Sequence, residues 1–284
     1  MPNVFVTGAS GTIGKGLCLE YAKRGYQVAV HYNRSKAPAE EVLREVEALG
    51  AKGYLIQGDI SSVPDIERMF NEVEEKMGGL DVMINNAGVT VIFPLLEATE
   101  KKFDRVVDTD LKGTYFSTKY AALNMIRHGI KGTIINISSN HDKGCWNNFT
   151  AYAAVKAGLD KFTQNAAMEL ACHGIRVVAI APGYTGPDDC NETRKVFGID
   201  DTDYYDGVAG CIPLKRFCTA SEIGKLACFL SSEDAGYITG TCITADGGSL
   251  LPALSGKWKI LNSDPLDPEL DEWPGRGPNG EQQK

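Results

Sequence analysis

Three residues stand out by type and spacing. Tyr152 and Lys156 are four apart in an apolar-periodic segment, so on a helix their side chains share one face. Ser139 follows the β-branched run Thr133–Ile137. In a parallel sheet, strand ends and the helices after them converge on one edge, which brings the three together. Their chemistry fits proton-coupled hydride transfer. Oxidising a secondary alcohol to a ketone releases a hydride and a proton, and the protein must handle the proton. A free phenol titrates near pH ~10, too high for a base at neutral pH. A neighbouring ammonium favours the phenolate. A serine hydroxyl can hydrogen-bond the substrate oxygen as charge develops on it.

A hydride needs a carrier. Thr7-Gly8-Ala9-Ser10-Gly11-Thr12-Ile13-Gly14 follows a first apolar run and opens an amphipathic stretch. Glycines let the backbone turn tightly against a pyrophosphate that the helix N-terminus stabilises. Chains of this kind carry an acid about 20 residues on, which holds a ribose 2′-hydroxyl. Between Val28 and Ser35 there is none; His31-Tyr32-Asn33-Arg34-Ser35-Lys36 stands there instead. Arg34 and Lys36 can pair with a 2′-phosphate, which favours NADP(H), with NAD(H) as the alternative.

Strand-like and helix-like segments alternate around these residues. Apolar strand runs fall at 4–7, 28–32, 54–57, 82–85, 133–137, 176–181 and 242–245. Helical periodicity falls at 13–24, 39–49, 66–77, 111–126, 155–170 and 223–230. Near-continuous apolar strands alternating with helices predict a parallel sheet covered on both faces. The expected fold is therefore α/β: a doubly wound, three-layer Rossmann sheet in one domain over 1–255. Residues 184–212 break the rhythm and are expected to be an irregular substrate loop. Residues 256–284, rich in Pro, Gly and acid, are expected to form an extended or disordered extension.

Of the 284 residues, 43% are hydrophobic and 23% charged, and the net charge is -8. That balance argues against nucleic acid and anionic membrane as partners, since both need basic patches. Eight cysteines without a Cys-x-x-Cys, and only four histidines, give no metal-ligand spacing. They read as free thiols in a reducing compartment. With no basic or long apolar leader segment, the expected location is cytoplasmic.

The same residues carry a resemblance. The loop 7–14, Asn85-Asn86-Ala87-Gly88, Ser139 thirteen residues before Tyr152, Lys156, Pro182-Gly183 and Asp246-Gly247-Gly248 occur in the order of the short-chain dehydrogenase/reductase family. Within it the chain looks most like bacterial glucose 1-dehydrogenases, notably over 81–88, at Ser138-Ser139-x-His141-x-Lys143 with Trp146 and Phe149, and at Ala245–Gly248. The resemblance implies Asp59 and Ile60 at adenine, Asn86, Ala87 and Gly88 at the adenosine ribose, and Pro182, Gly183 and Thr185 at the nicotinamide amide. It implies a small alcohol or carbonyl substrate, a sugar or polyol, with hydroxysteroids or other small ketones as the alternative, and a homotetramer or homodimer.

The chain departs from the pattern at three places. The family glycine at Thr12 stands one earlier, at Gly11. The family asparagine of the fourth catalytic position is Asp110, which can accept a hydrogen bond and whose charge can pair with Lys156, weakening the lysine's effect on Tyr152. The glutamate of glucose dehydrogenases near Thr90 is absent. His141, Trp146 and Tyr184 are candidate substrate contacts. A cofactor-binding regulator with impaired catalysis is the reading from another class, and the intact Ser139–Tyr152–Lys156 set opposes it.

Overall fold

In the computed structural model, residues 1–186 and 202–251 are described, with side chains left aside at 202–206. Seven strands pair in parallel in the order β3-β2-β1-β4-β5-β6-β9. They are β1 Asn3–Val6, β2 Gln27–Tyr32, β3 Gly53–Gln57, β4 Val82–Asn85, β5 Thr133–Ile137, β6 Arg176–Pro182 and β9 Cys242–Ala245. A short parallel pair, β7 Thr185–Gly186 and β8 Cys218–Thr219, lies apart from the sheet order. The expected doubly wound sheet is what forms.

Alternation along the strands builds two cores. Val4, Val6, Val28, Val30, Ile84, Ile135 and Ile180 face one side. There they meet α1 (Thr12–Ala22), α2 (Lys36–Ala48) and α8 (Ala220–Ser231) through Leu17, Tyr21, Val42, Ile223 and Leu230. Phe5, Ala29, Met83, Ile134 and Val177 face the other side. These pack on α3 (Val63–Met77), α5 (Gly113–Arg127) and α6 (Thr150–Leu170) through Met69, Phe70, Met125 and Ala166. Burial of both faces is why the strands read as unbroken apolar runs.

Two elements differ from expectation. Glu100–Val106 (α4) is helical and continues through a π-helical turn, Val107–Lys112, into α5. Thr99 caps it by accepting the Lys102 backbone N–H. Its core contribution is one buried residue, Val106, too little to set up a readable stripe. The expected irregular segment 184–212 is corrected at its C-terminal end, where Thr202–Cys211 (α7) is helical. Ala209 and Ile212 bury against Phe217 there, a short contact masked in sequence by Gly207 and Gly210. Residues 187–201 of the expected loop, and the extension 256–284, lie outside the described residues.

Strand order reverses between β1 and β4: the chain runs outward through β2 and β3, then returns to β4 and continues the other way. The crevice at the carboxyl ends of these two strands is where an open α/β sheet binds its ligand.

Candidate active site

At the switch point, the loop after β1 is tied to the segment after β4. Thr7 Oγ1 accepts the backbone N–H groups of Asn86 and Ala87 at 2.9 and 3.0 Å and donates to Ile84 O. Asn86 Nδ2 donates to the carbonyls of Thr7 and Gly8 at 2.9 and 3.1 Å. Gly8 takes φ +63°, and a Cβ there would stand 2.9 Å from Ala87 Cα. Gly14 backs the loop so closely that a Cβ would meet Gly8 O at 2.3 Å. Gly11 is the N-cap of α1 and has no side chain to satisfy the first amides, so those donors are free to meet an anion.

His31 holds the same loop from β2. Its Nδ1 accepts the Gly8 N–H at 2.9 Å, so Nε2–H donates to Gly58 O at 3.1 Å. Burial pushes its pKa down to about 4, which keeps the ring neutral and Nδ1 an acceptor. A cleft of about 710 Å³ opens beside the loop. Its walls include Gly8, Ser10, Asn33, Arg34, Asp59, Ile60, Ala87 and Gly88, together with Lys101, Arg105 and Thr109. Burial pushes the Asp59 carboxyl up, but hydrogen bonds from Ser61 and Asn33 and the Arg34 charge together hold it below the usual range. The glycine cradle, the uncapped helix and this cleft fit a dinucleotide.

A second pocket of about 170 Å³ adjoins the first, sharing Gly88 and Val89 as walls. It is lined by Ile13, Asn86, Asp110, Ser139, Tyr152, Lys156, Pro182 and Gly183, with Val89 and Thr90. The elements that deliver these groups are locked together beneath it. Asn85 Nδ2 donates to Thr118 Oγ1 and Asn136 Oδ1, and Asn136 Nδ2 donates to Thr163 Oγ1. That buried chain joins β4, α5, β5 and α6.

The π-helical turn places Asp110 inside this pocket. Its Oδ1 accepts the Val89 N–H at 2.7 Å, and its Oδ2 lies 3.1 Å from Lys156 Nζ. The two side chains are 0% and 6% exposed. Lys156 also donates to Ile137 O at 3.1 Å, and its Nζ stands 5.4 Å from the centre of the Tyr152 ring. Burial works against the ammonium, but the Asp110 carboxylate and the Tyr152 oxygen hold Lys156 above the ordinary lysine range. The charge pairing foreseen for Asp110 is present.

Ser139 caps a 3₁₀ turn, Asn140–Asp142, by accepting the His141 N–H. His141 stacks on Trp146 at 4.0 Å and meets Tyr152 edge-on at 5.2 Å. His141, Trp146 and Tyr184 line neither cleft. His141 instead stands behind Ser139, and Tyr184 stacks on Phe217. Thr185, whose Oγ1 donates to Gly183 O, and Thr12, Gly11 and Gly14 also stand outside the walls.

Next to the site, Asp142, Asp160 and Cys242 each bring a polar atom within 4.8 Å of the others. The Lys143 ammonium supplies counter-charge, 2.5 Å from Asp142 and 3.8 Å from Asp160. Sequence reading missed this cluster and the loop-holding roles of Thr7 and His31. Thr7 opens the glycine loop, but its partners lie 79 and 80 positions on; the others sit at no motif spacing, and only the fold brings them together.

The geometry can be set beside known proteins. The family model described as enoyl-(acyl carrier protein) reductase matches residues 8–249. The chain is 38% identical over 248 residues to the 3-oxoacyl-(acyl-carrier-protein) reductase FabG of Staphylococcus epidermidis, covering 87% of this chain and 98% of that protein. It superposes on a short-chain type dehydrogenase/reductase from Mycobacterium marinum with a TM-score of 0.79 and 30% identity, covering 88% of this chain and 96% of the other. Acetoin dehydrogenase from Enterobacter cloacae gives a TM-score of 0.80 at 31% identity, with 89% and 97% covered. A glycine-cradled dinucleotide cleft opening beside a serine–tyrosine–lysine set has one family among these matches: the chain belongs to the short-chain dehydrogenases/reductases, as a nicotinamide-dependent oxidoreductase acting on alcohol and ketone carbons.

Proposed function

We propose that the chain interconverts a small secondary alcohol and its ketone with NADP(H) as the preferred cofactor, and that Ser139, Tyr152, Lys156 and Asp110 form the reacting group of side chains. The observation that carries this is their meeting in one pocket that shares walls with the dinucleotide cleft. Bound nicotinamide supplies or accepts the hydride. In reduction, the Tyr152 hydroxyl gives its proton to the carbonyl oxygen. Ser139 donates a hydrogen bond to the same oxygen. Lys156 holds positive charge beside the phenol, and Asp110 fixes the lysine. In oxidation the phenol oxygen takes the alcohol proton.

A described volume of about 170 Å³ is small beside the ~300–1,000 Å³ of a drug-sized site. It suits a sugar, polyol or short ketone. The likeness to a 3-oxoacyl-(acyl-carrier-protein) reductase favours a second reading, a 3-oxoacyl thioester. Arg34 on the wall of the larger cleft, with no acid at the end of β2, supports the NADP(H) preference. No helix among the described residues is long and apolar enough to cross a membrane. An apolar groove of about 430 Å³ runs between α5 and α6, and its exposed Tyr115, Leu123 and Ile126 are suited to cover by a second copy in a homodimer or tetramer. A chain that stays monomeric in solution would remove that part.

The test follows nicotinamide absorbance with both cofactors against sugars, polyols, short ketones and a 3-oxoacyl thioester. Tyr152→Phe lowers turnover on the best substrate at least about a hundredfold, the scale of a lost general acid–base, with NADPH affinity unchanged. Turnover retained in that variant rules the assignment out.

A further inference from the structure

Ser139 Oγ receives two contacts from the same residue. It accepts the backbone N–H of His141 at 3.3 Å. It also lies 3.1 Å from His141 Nδ1, a contact whose donor depends on the imidazole tautomer. A hydroxyl has one hydrogen and two acceptor positions, so the tautomer decides what Ser139 has left to offer a substrate.

With the proton on Nε2, Ser139 spends its only hydrogen on Nδ1. Nothing then remains for a substrate oxygen, and a buried Nε2–H is left without a partner, because Nε2 has no hydrogen-bonding neighbour among the described residues. Orphaned buried N–H donors are rare. With the proton on Nδ1, both acceptor positions of Oγ are filled, one by the backbone amide and one by the ring. The hydroxyl hydrogen is then free of the turn and available to the pocket that Ser139 lines. What remains unpaired is a lone pair at Nε2. The doubly protonated ring would again bury an unpaired Nε2–H. It is opposed further by burial, which outweighs the opposite pull of Asp142, with a lesser contribution from the Lys156 charge in the same direction as burial.

The ring is held in place for this. Trp146 stacks on it at 4.0 Å and 28°, Phe149 stands at 4.7 Å, and Tyr152 at 5.2 Å. The Ser139 cap fixes the turn from the other side.

We propose that His141 is a positioning residue that sets the direction of the Ser139 hydroxyl: Nδ1–H donates to Oγ, and the serine hydrogen is thereby aimed at the substrate oxygen. The chain Nδ1–H···O–H···O strengthens cooperatively as negative charge builds on that oxygen. The role rests on the oxidoreductase reading above, and it replaces the expectation of His141 as a substrate contact.

Two measurements test it. Nitrogen-15 NMR of histidine-labelled full-length chain reads the tautomer without turnover. The expected signature is a protonated Nδ1 and an unprotonated Nε2 on His141; the reverse overturns the proposal even if the enzyme is active. Kinetics give the second. His141→Phe keeps a ring against Trp146 but has no donor, and should lower kcat at least tenfold with NADPH Kd within twofold. His141→Asn offers an N–H at the δ position and should recover most of that loss, whereas His141→Gln should not. In a Ser139→Ala background, His141→Phe should cost nothing further. A separate tenfold loss there, or an unaffected His141→Phe, refutes the positioning role. A wild-type chain that turns over no substrate while showing the expected tautomer would instead count against the proposed function.

Discussion

The two ends of the cleft are held by different kinds of group. At the dinucleotide end, neutral contacts to backbone do the holding: Thr7 Oγ1, His31 Nδ1 and Asn86 Nδ2 each meet main-chain atoms. At the chemical end the central contact is a buried ion pair, Asp110–Lys156, with Ser139 and Tyr152 beside it. Neutral ties to backbone shape a loop and impose no charge on it, which leaves selectivity there to wall residues such as Arg34. A buried pair sets a field at one phenol, and each partner depends on the other for its stability. The first end should therefore respond to substitution mainly in cofactor affinity, the second in stability and proton transfer.

The sharpest way to break that contrast is Asp110→Ala. It leaves the Lys156 ammonium buried with Ile137 O as its remaining described hydrogen-bond partner. Removing one partner of such a pair costs about 3–5 kcal/mol. Chemical denaturation should show a loss of that size. Asp110→Asn should lose much less, because an amide oxygen can still accept from Val89 N–H or Lys156. Equal losses in the two variants would mean that the charge alone, and not the shape and acceptor oxygen that the amide keeps, stabilises this end.

At the other end, Arg34→Ala should weaken NADPH about tenfold, or about 1.4 kcal/mol, and leave NADH within twofold, with melting temperature unchanged. Titration of both cofactors by intrinsic fluorescence measures it. An equal effect on both would remove Arg34 from recognition of the 2′-phosphate.

The contrast also explains what could be read from sequence. The sheet was legible because doubly covered parallel strands are continuous apolar runs, and β4, β5 and β9 begin and end where that pattern puts them. The glycine loop was legible because tight backbone approach demands glycine, as Gly8 and Gly14 show. Tyr152 and Lys156 were legible from helical spacing. The supports were not legible from pattern. Asp110 was reached only through the family resemblance: it is an acid in a polar stretch, and its burial depends on a π-helical turn that has no periodicity to detect. His31 sits in a strand and bonds Gly8, 23 positions earlier. Asp160 lies one turn beyond Lys156 on α6, and the groups that define its environment arrive from β9 and the turn after β5.

Asp160 also gives the smallest effect expected here. Burial and the neighbouring Asp142 carboxylate push its pKa up to about 6, against partial relief by hydrogen bonds from Ser138 and Cys242. An unfolded aspartate titrates near ~3.9. A carboxyl whose folded pKa is raised contributes stability that is fully present below the unfolded value and is lost as pH rises through the folded one. The window here runs from about pH 4 to about pH 6. Above it, the ionised Asp160 faces Asp142 with the Lys143 ammonium 3.8 Å away as partial compensation. Asp160→Asn removes the titration. It should melt higher than wild type at pH 7.5, by on the order of 1 kcal/mol, and the difference should shrink toward pH 4.5. Melting curves across that range measure it. A gap that widens toward acid would mean that Asp160 is stabilised as the carboxylate, with Lys143 rather than Asp142 dominating its surroundings. The chemical end would then hold two satisfied ion pairs where the contrast drawn above requires one.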